Sequence, residues 1–407
     1  MKSADSTYPY PPDWRLVSLE SLNAKNFGTI NPSRYPTERF EYYSIPAYQK
    51  SRQPLIAAGN EIGSAKLLLY PGTVLFGKLN PRVEKVWTVD NCSAHRKIGS
   101  TEWIPISPRD DVDKRFLYFL MWSEHVMPKA KALVSGSTPS RQRVDPKSFY
   151  RIAVPLPPID EQRKIAAVLE LAQRAIEEQE RLIQLTTELK KALLQKLFTE
   201  GLRGEPQKMT EIGPVPESWS VSTLENVALA FDYGTSVKCD LNEDGLPVLR
   251  IPNVLIGSID LGDLKYGRPK QKEIDQLRLV SGDLLFVRTN GVQENAGRCA
   301  LFRGELDGCY FASYLIRVRV DPSKVLPAFV NEYAQTEAGK GFLSGRAMRT
   351  ADGKFNINSG TLRRLSLPLP TLDEQREMVF QLDSVRPETP VLGRRQCPRQ
   401  GNIPVYS

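Results

Sequence analysis

The sequence predicts an α+β protein: two similar domains, each β-rich with short helices, joined by one long coiled-coil helix. Three observations predict it. The phrase PLPPIDEQRKIAAVLE, from Pro155, returns as PLPTLDEQREMVFQL from Pro368. The text before each copy is made of short strand-like runs broken by turns. The stretch 160–199 contains neither Gly nor Pro. A chain of 407 residues, 41% apolar and 9% aromatic, can bury two or three ordinary cores, so wholesale disorder is not expected.

The first domain is expected over 1–155 and the second over 205–368. The repeat reaches backwards through both, and such a repeat fixes the architecture before any single motif does. PPDWRLVSLESL (11–22) resembles VPESWSVSTLENV (215–227), which makes Trp14 and Trp219 equivalent, and both read as core anchors. AKLLLYPGTVLFGKL and LRLVSGDLLFVRT are short β-rich runs around Pro-Gly and Ser-Gly-Asp turns. CALFRGELDGCYFASYLIRVRV reads as a hairpin about 304–308 with a long second strand. A short amphipathic helix follows in each domain, at 114–124 and 327–336. Two domains duplicated without a shared task would leave the same repeat.

Between the domains, 156–204 reads as the long helix. Ile165, Val168, Leu169, Ala172, Ala175, Ile176, Leu182, Ile183, Leu189, Leu193 and Leu197 recur at three- and four-residue spacings, one apolar stripe. Asp160 and Glu161 suit its N-terminal dipole, Lys190, Lys191 and Lys196 its other end. Gly201, Gly204 and Pro206 stop it. At 1.5 Å per residue the rod is about 60 Å long, and such a stripe needs a partner helix. The candidate partner interface is Ile165, Leu169, Ala172, Ile176, Leu182, Ile183, Leu189 and Leu193; the plainer alternative is a helix packed on a globular core. Gln179 and Thr186 interrupt the stripe. A second such helix starts over 369–384 and reads as truncated. The segment 385–407, with Pro387, Pro390, Pro398 and Pro404 among Arg386, Arg394, Arg395 and Arg399, forbids a long helix and is expected to be disordered.

The net charge of +8 fits a nucleic-acid partner without requiring one. No apolar run approaches the roughly 20 residues of a membrane span, and MKSADSTYPYPPDW has no hydrophobic signal core. Cys92, Cys239, Cys299, Cys309 and Cys397 are odd in number and never spaced C-x-x-C, which argues against a disulfide framework or a structural zinc site. The expectation is a cytoplasmic protein with reduced thiols. His95 and His125 stand in no metal-binding spacing. Asn31-Pro32 and Asn80-Pro81 are not followed by Pro and an aromatic, so the adenine-methyltransferase motif is missing, and no catalytic motif of a protease, hydrolase or phosphate loop occurs.

Two variable domains, each closing with PLP-x-[IL]-DEQR and leading into a helix, with LIQLTTELKKALLQKLFTEGLRG and IGPVPESW between them, resemble the DNA-specificity subunit of type I restriction–modification enzymes. The resemblance runs to about Leu382. It implies that each domain is a target-recognition domain for half of a split DNA site. It implies that the helices are spacers that dock methyltransferase subunits, two of them, with a restriction and translocation subunit joining. It implies no catalysis and no cofactor in this chain; S-adenosylmethionine, ATP and Mg would belong to the partners. Where that family carries a second spacer helix as long as the first, this sequence departs after Leu382. Altered or defective assembly, or self-association through the spacer helix, is the expected consequence. A coiled-coil adaptor that binds protein is the alternative.

Phosphates call for Lys, Arg and small polar groups, and base edges for Arg, Asn or Gln. GKLNPR offers Lys78, Asn80 and Arg82. SGSTPSRQR offers Ser137, Thr138, Arg141, Gln142 and Arg143. VRTNGVQEN offers Arg288, Thr289, Asn290, Gln293 and Asn295, and SGRAMRTADGKFN offers Arg346, Arg349, Lys354 and Asn356. They lie between strand-like runs at matching places in the two domains, although exposed loops are commonly polar and basic. Tyr35, Tyr42, Tyr43 and Tyr48 read as packing residues first, and Asp283 as a turn cap.

Overall fold

The computed structural model describes residues 10–90, 93–136, 138, 141–242 and 244–385. Ser137, Cys92, Cys397 and the proline- and arginine-rich segment from 386 onward lie outside the described residues. The chain divides into two compact units, Met1–Glu178 and Gln179–Ser407. The division falls inside one continuous helix, Ile159–Glu200, of 42 residues.

In the first unit the strand Val74–Gly77 lies between Val86–Thr88 and Trp103–Ile106, antiparallel to both. Val74 and Phe76 enter a core with Leu117, Met121 and Phe149. Leu75, on the opposite face, enters another with Tyr43, Trp87 and Trp103. Both faces are covered, which is why the strand reads as an unbroken apolar run rather than an alternating one. A five-stranded sheet adjoins, in which Arg39–Tyr43 runs parallel to Arg96–Gly99.

The second unit repeats this plan. Leu284–Val287 lies between Cys299–Leu301 and Leu315–Val320, with Leu284 and Phe286 in one core and Leu285 and Val287 in another. Leu246–Leu249 runs parallel to Tyr310–Phe311. The turns before the two central strands match to the hydrogen bond. Gly72 N donates to Val89 O at 2.7 Å and Gly282 N to Phe302 O at 2.9 Å. Both glycines sit at positive φ, +84° and +98°, where a side chain would be strained.

The expected hairpin about 304–308 does not form. Cys299–Leu301 pairs with the central strand and Tyr310–Phe311 joins the other sheet. The long second strand is also broken: Leu315 N donates to Ala312 O, a turn that carries the chain from one sheet to the next. Trp219 is buried as expected, but Trp14 is only half-buried; it stacks on Tyr10 and donates from Nε1 to Glu161 at 3.0 Å.

The repeated PLP phrase closes each unit. Ala153–Leu156 pairs with Arg15–Ser18, and Ser366–Leu369 with Ser220–Thr223. The DEQ that follows supplies a clamp. Gln162, fully buried, accepts from Asp113 N at 2.9 Å and donates to Pro157 O and Asp111 O. Gln375 does the same with Leu326 N, Pro370 O and Lys324 O. Each ties the start of a C-terminal helix to the N-terminus of an earlier one, Lys114–Trp122 or Pro327–Tyr333.

The long helix is anchored at its ends. Ile165 and Ala166 pack into the first unit, and Leu193, Leu194, Leu197 and Phe198 into the second. Lys190 adds a buried ion pair with Glu332 at 2.9 Å. Between these anchors the stripe is open: Ile176 is 60% exposed and Leu182 62%, with Leu169, Ala172, Ile183 and Leu189 exposed beside them. Of the eight expected interface residues, Ile165 and Leu193 are therefore partly covered by their own units, and no second helix covers the remainder among the described residues.

Candidate nucleic-acid interface

In the first unit the central strand runs out into GKLNPR, and that turn is laid against the hairpin Val134–Ser135 and Arg143–Val144. Val144 N donates to Lys78 O at 3.0 Å and Asn80 N to Gln142 O at 2.8 Å. Asn80 holds φ at +49°, the left-handed conformation that Asn tolerates better than most residues. Buried Lys85 supports the turn from inside, its Nζ donating to the carbonyls of Leu79, Asn80 and Val83; burial pushes its pKa down. Arg82, Thr138 and Arg141 are exposed, while Lys78 and Gln142 are half-buried. Arg143 is exposed too, but a fork holds it: Nε and Nη2 both donate to Glu102, at 3.0–3.2 Å. That hydrogen bonding raises the guanidinium pKa.

The second unit brings its two stretches together in the same way. Thr289–Asn290 pairs with Phe355–Asn356, which pairs with Met348–Arg349. Arg288 follows the central strand and lies over the Tyr233 ring, 4.9 Å from its centroid. Asn290 accepts from Val292 N through Oδ1. Arg349 is exposed, and Lys354, at the hairpin turn, pairs with Asp352 at 3.0 Å. Gln293 and Arg346 stand apart from this sheet. Gln293 donates to Ser344 O at 3.1 Å, and Arg346 lies on Phe342 of the helix Glu337–Gly345. Lys78, Arg82, Arg141, Arg288 and Arg349 form no ion pair among the described residues.

Sequence reasoning named most of this surface and missed Glu102, Tyr233 and Tyr314. The signal for two of them was available. TEWI and SYLI stand at the same step of the repeat, just before strands Trp103–Ile106 and Leu315–Val320. Tyr43 and Tyr48 are core residues, Tyr42 is half-buried, and only Tyr35 of that group is exposed. Asp283 caps its turn, accepting from Val280 N, and also holds Arg319 in a fork. Among the described residues no group of three or more His, Cys, Asp or Glu is placed to hold a metal ion. No described helix is long and apolar enough to cross a membrane.

Residues 19–187, the first unit with most of the long helix, match the type I restriction modification DNA specificity domain. Over 394 residues the chain is 28% identical to the type I restriction enzyme MjaVIII specificity subunit of Methanocaldococcus jannaschii, covering 92% of this chain and 86% of that one. Residues 19–187 therefore match a specificity domain of the type I restriction modification kind, and the chain is similar to a specificity subunit along most of its length. A second relative from the same organism, the putative MjaX specificity subunit, is 30% identical over 172 residues, which is 42% of this chain; the chain spans only 40% of that relative's length. The S subunit of the type I restriction-modification system of M. genitalium shares the fold at a TM-score of 0.56 and 15% identity, over 91% of this chain and 89% of that one. The fold shared with that subunit thus runs through both halves of the chain.

Proposed function

We propose that this chain is the sequence-reading, non-catalytic subunit of a type I restriction–modification complex. Each unit acts as a target-recognition domain, with 1–155 and 205–368 as their extents, and takes one half of a split duplex site. The segment 156–204 is the spacer, and its open stripe is where methyltransferase subunits, and through them a restriction subunit, are held. S-adenosylmethionine, ATP and Mg work in those partners, and the complex works in the cytoplasm.

One observation carries the reading. In both units the turn after the central strand is fastened to the hairpin before the last strand by the same backbone hydrogen bond, Val144 N to Lys78 O and Ile357 N to Arg288 O. The two backbones agree while their outward side chains differ, as two readers of different words on one scaffold should. Unpaired cations at both places supply phosphate contacts. The net charge of +8 supports the same partner.

The test is a duplex pool of random sequence, bound by the full chain alone and with its methyltransferase subunits over a series of salt concentrations. Binding should fall steeply with salt, and recovered duplexes should share a split motif. Recovery of every sequence equally, or affinity indifferent to salt, refutes the proposal. Arg82→Ala and Arg141→Ala should each lower the slope of log affinity against log salt by about one.

A further inference from the structure

The two units can be superposed by hydrogen bonds alone, which identifies equivalent positions without regard to side chain. Lys78 N donates to Glu102 O at 3.0 Å, and Arg288 N to Tyr314 O at 2.9 Å. Trp103 N donates to Ser100 O, and Leu315 N to Ala312 O. Val144 follows Arg143 and donates to Lys78 O; Ile357 follows Asn356 and donates to Arg288 O. Leu79 bridges Arg143, and Thr289 pairs with Asn356. Glu102 therefore occupies the place of Tyr314, and Arg143 the place of Asn356.

In the first unit the side chains at these two places touch; in the second the backbone sets the same two places on either side of Arg288, and each unit fills them with a different polar pair. The first unit carries Arg143 forked on Glu102, two hydrogen bonds from Nε and one from Nη2, with Nη1 donating to Arg141 O at 3.3 Å. The second carries Asn356, half-buried, whose amide makes no hydrogen bond among the described residues, and Tyr314, which is 58% exposed. An arginine held by a carboxylate has lost its freedom to follow the flexible phosphate chain. With Nη1 also on the Arg141 carbonyl, the remaining N–H of each terminal nitrogen is fixed in direction, the condition for bidentate recognition of a guanine edge. A free side-chain amide sets an N–H donor beside a carbonyl acceptor, the pattern that matches adenine.

We propose that these two equivalent positions are the specificity-determining pair of each unit: Arg143 oriented by Glu102 in the first, Asn356 beside Tyr314 in the second. Arg143 and Asn356 touch bases, and Glu102 is a positioning residue that sharpens the choice. This rests on the DNA-reading function proposed above.

The experiment repeats the random-duplex selection with the full chain and its methyltransferase subunits, comparing wild type with Arg143→Lys, Glu102→Gln and Asn356→Ala. Arg143→Lys keeps the charge and removes the fork. It should erase preference at one or two adjacent base pairs of one half-site, by about ten- to a hundredfold, and leave the other half-site unchanged. Asn356→Ala should do the same in the other half-site only. Glu102→Gln should lower preference at the Arg143 base pairs while strengthening binding to duplexes lacking the motif, because a negative charge facing DNA is removed. A merely structural Glu102 would not raise that background affinity. Wild-type motifs from all three variants, with affinity changed evenly across sequences, would mean phosphate contacts and would overturn the pairing. Loss of preference in both half-sites at once would overturn it too. A wild-type chain that selects no motif removes the DNA-reading proposal itself, and this inference with it.

Discussion

At the scale of single residues, the repeated phrase is explained by what its glutamine does. From a fully buried position Gln162 satisfies one amide and two carbonyls, all buried or half-buried, and Gln375 does so again. A buried polar group left without its partner costs about 1–3 kcal/mol. Gln162→Ala orphans Asp113 N, Asp111 O and Pro157 O, so it should destabilise the first unit by roughly 3 kcal/mol, read as a fall in the midpoint of denaturant unfolding. Gln162→Glu should be no better, since a charge would replace the donor amide. A second residue-scale effect is pH-dependent. Burial alone would raise the Glu41 carboxyl. Hydrogen bonds from Ser93 and Tyr43 and the Lys97 ammonium at 3.4 Å outweigh it and hold the pKa below the usual 4.5. A native pKa below the unfolded one favours the ionised native state. Its stabilisation is complete above pH 4.5 and is lost as pH falls through the lower native value. The midpoint of the first unit should drop on acidification in that range. Glu41→Gln should flatten the drop while costing about 3 kcal/mol at neutral pH, because it leaves Lys97 buried without a counter-charge.

At the scale of elements, the long helix was the most legible feature and the sheets the least. A helix announces itself by spacing and by the absence of breakers, and Ile159–Glu200 matches the expected span within a few residues. The Gly-Glu-Leu-Asp-Gly turn also announces itself, but not which strands it separates. Tyr310–Phe311 pairs with a strand some sixty positions earlier, and no local pattern encodes a partner that distant. The candidate surface was legible where it depended on residue type, as at Lys78, Arg82 and Arg349. It was hidden where it depended on pairing, as with the carboxylate of Glu102 that holds Arg143. The stripe makes its own prediction. Ile176 and Ile183 touch neither core, so Ile176→Glu and Ile183→Glu should change the stability of the isolated chain by no more than about 0.5 kcal/mol. The same variants should abolish any association through the helix, whether with methyltransferase subunits or a second copy. Sedimentation of the mixture separates the two effects. Variants that bind partners as well as wild type would place the docking surface elsewhere.

At the scale of the whole molecule, each unit has its own buried clusters among the described residues. The buried clusters around Phe149 and Trp103 draw only on residues up to Ala166, and those around Phe329 and Phe302 only on residues from Leu194 onward. The connection is a helix whose middle turns bury little. Helical turns without tertiary packing are marginal in water, since propensity alone scarcely offsets the ordering of the chain. Cooperativity therefore has little means of passing from one unit to the other in the free chain. Calorimetry should resolve two transitions rather than one. Leu117→Ala, at a fully buried site in the first unit, and Phe329→Ala, at one in the second, should each lower one transition by about 3–5 kcal/mol and leave the other in place. Partner subunits that cover the stripe would lend those middle turns the packing they lack, so in the assembled complex the two transitions should draw together. A single transition in the free chain, shifted alike by either substitution, would mean that the helix middle already transmits order without a partner. The open stripe would then have to be explained by something other than docking.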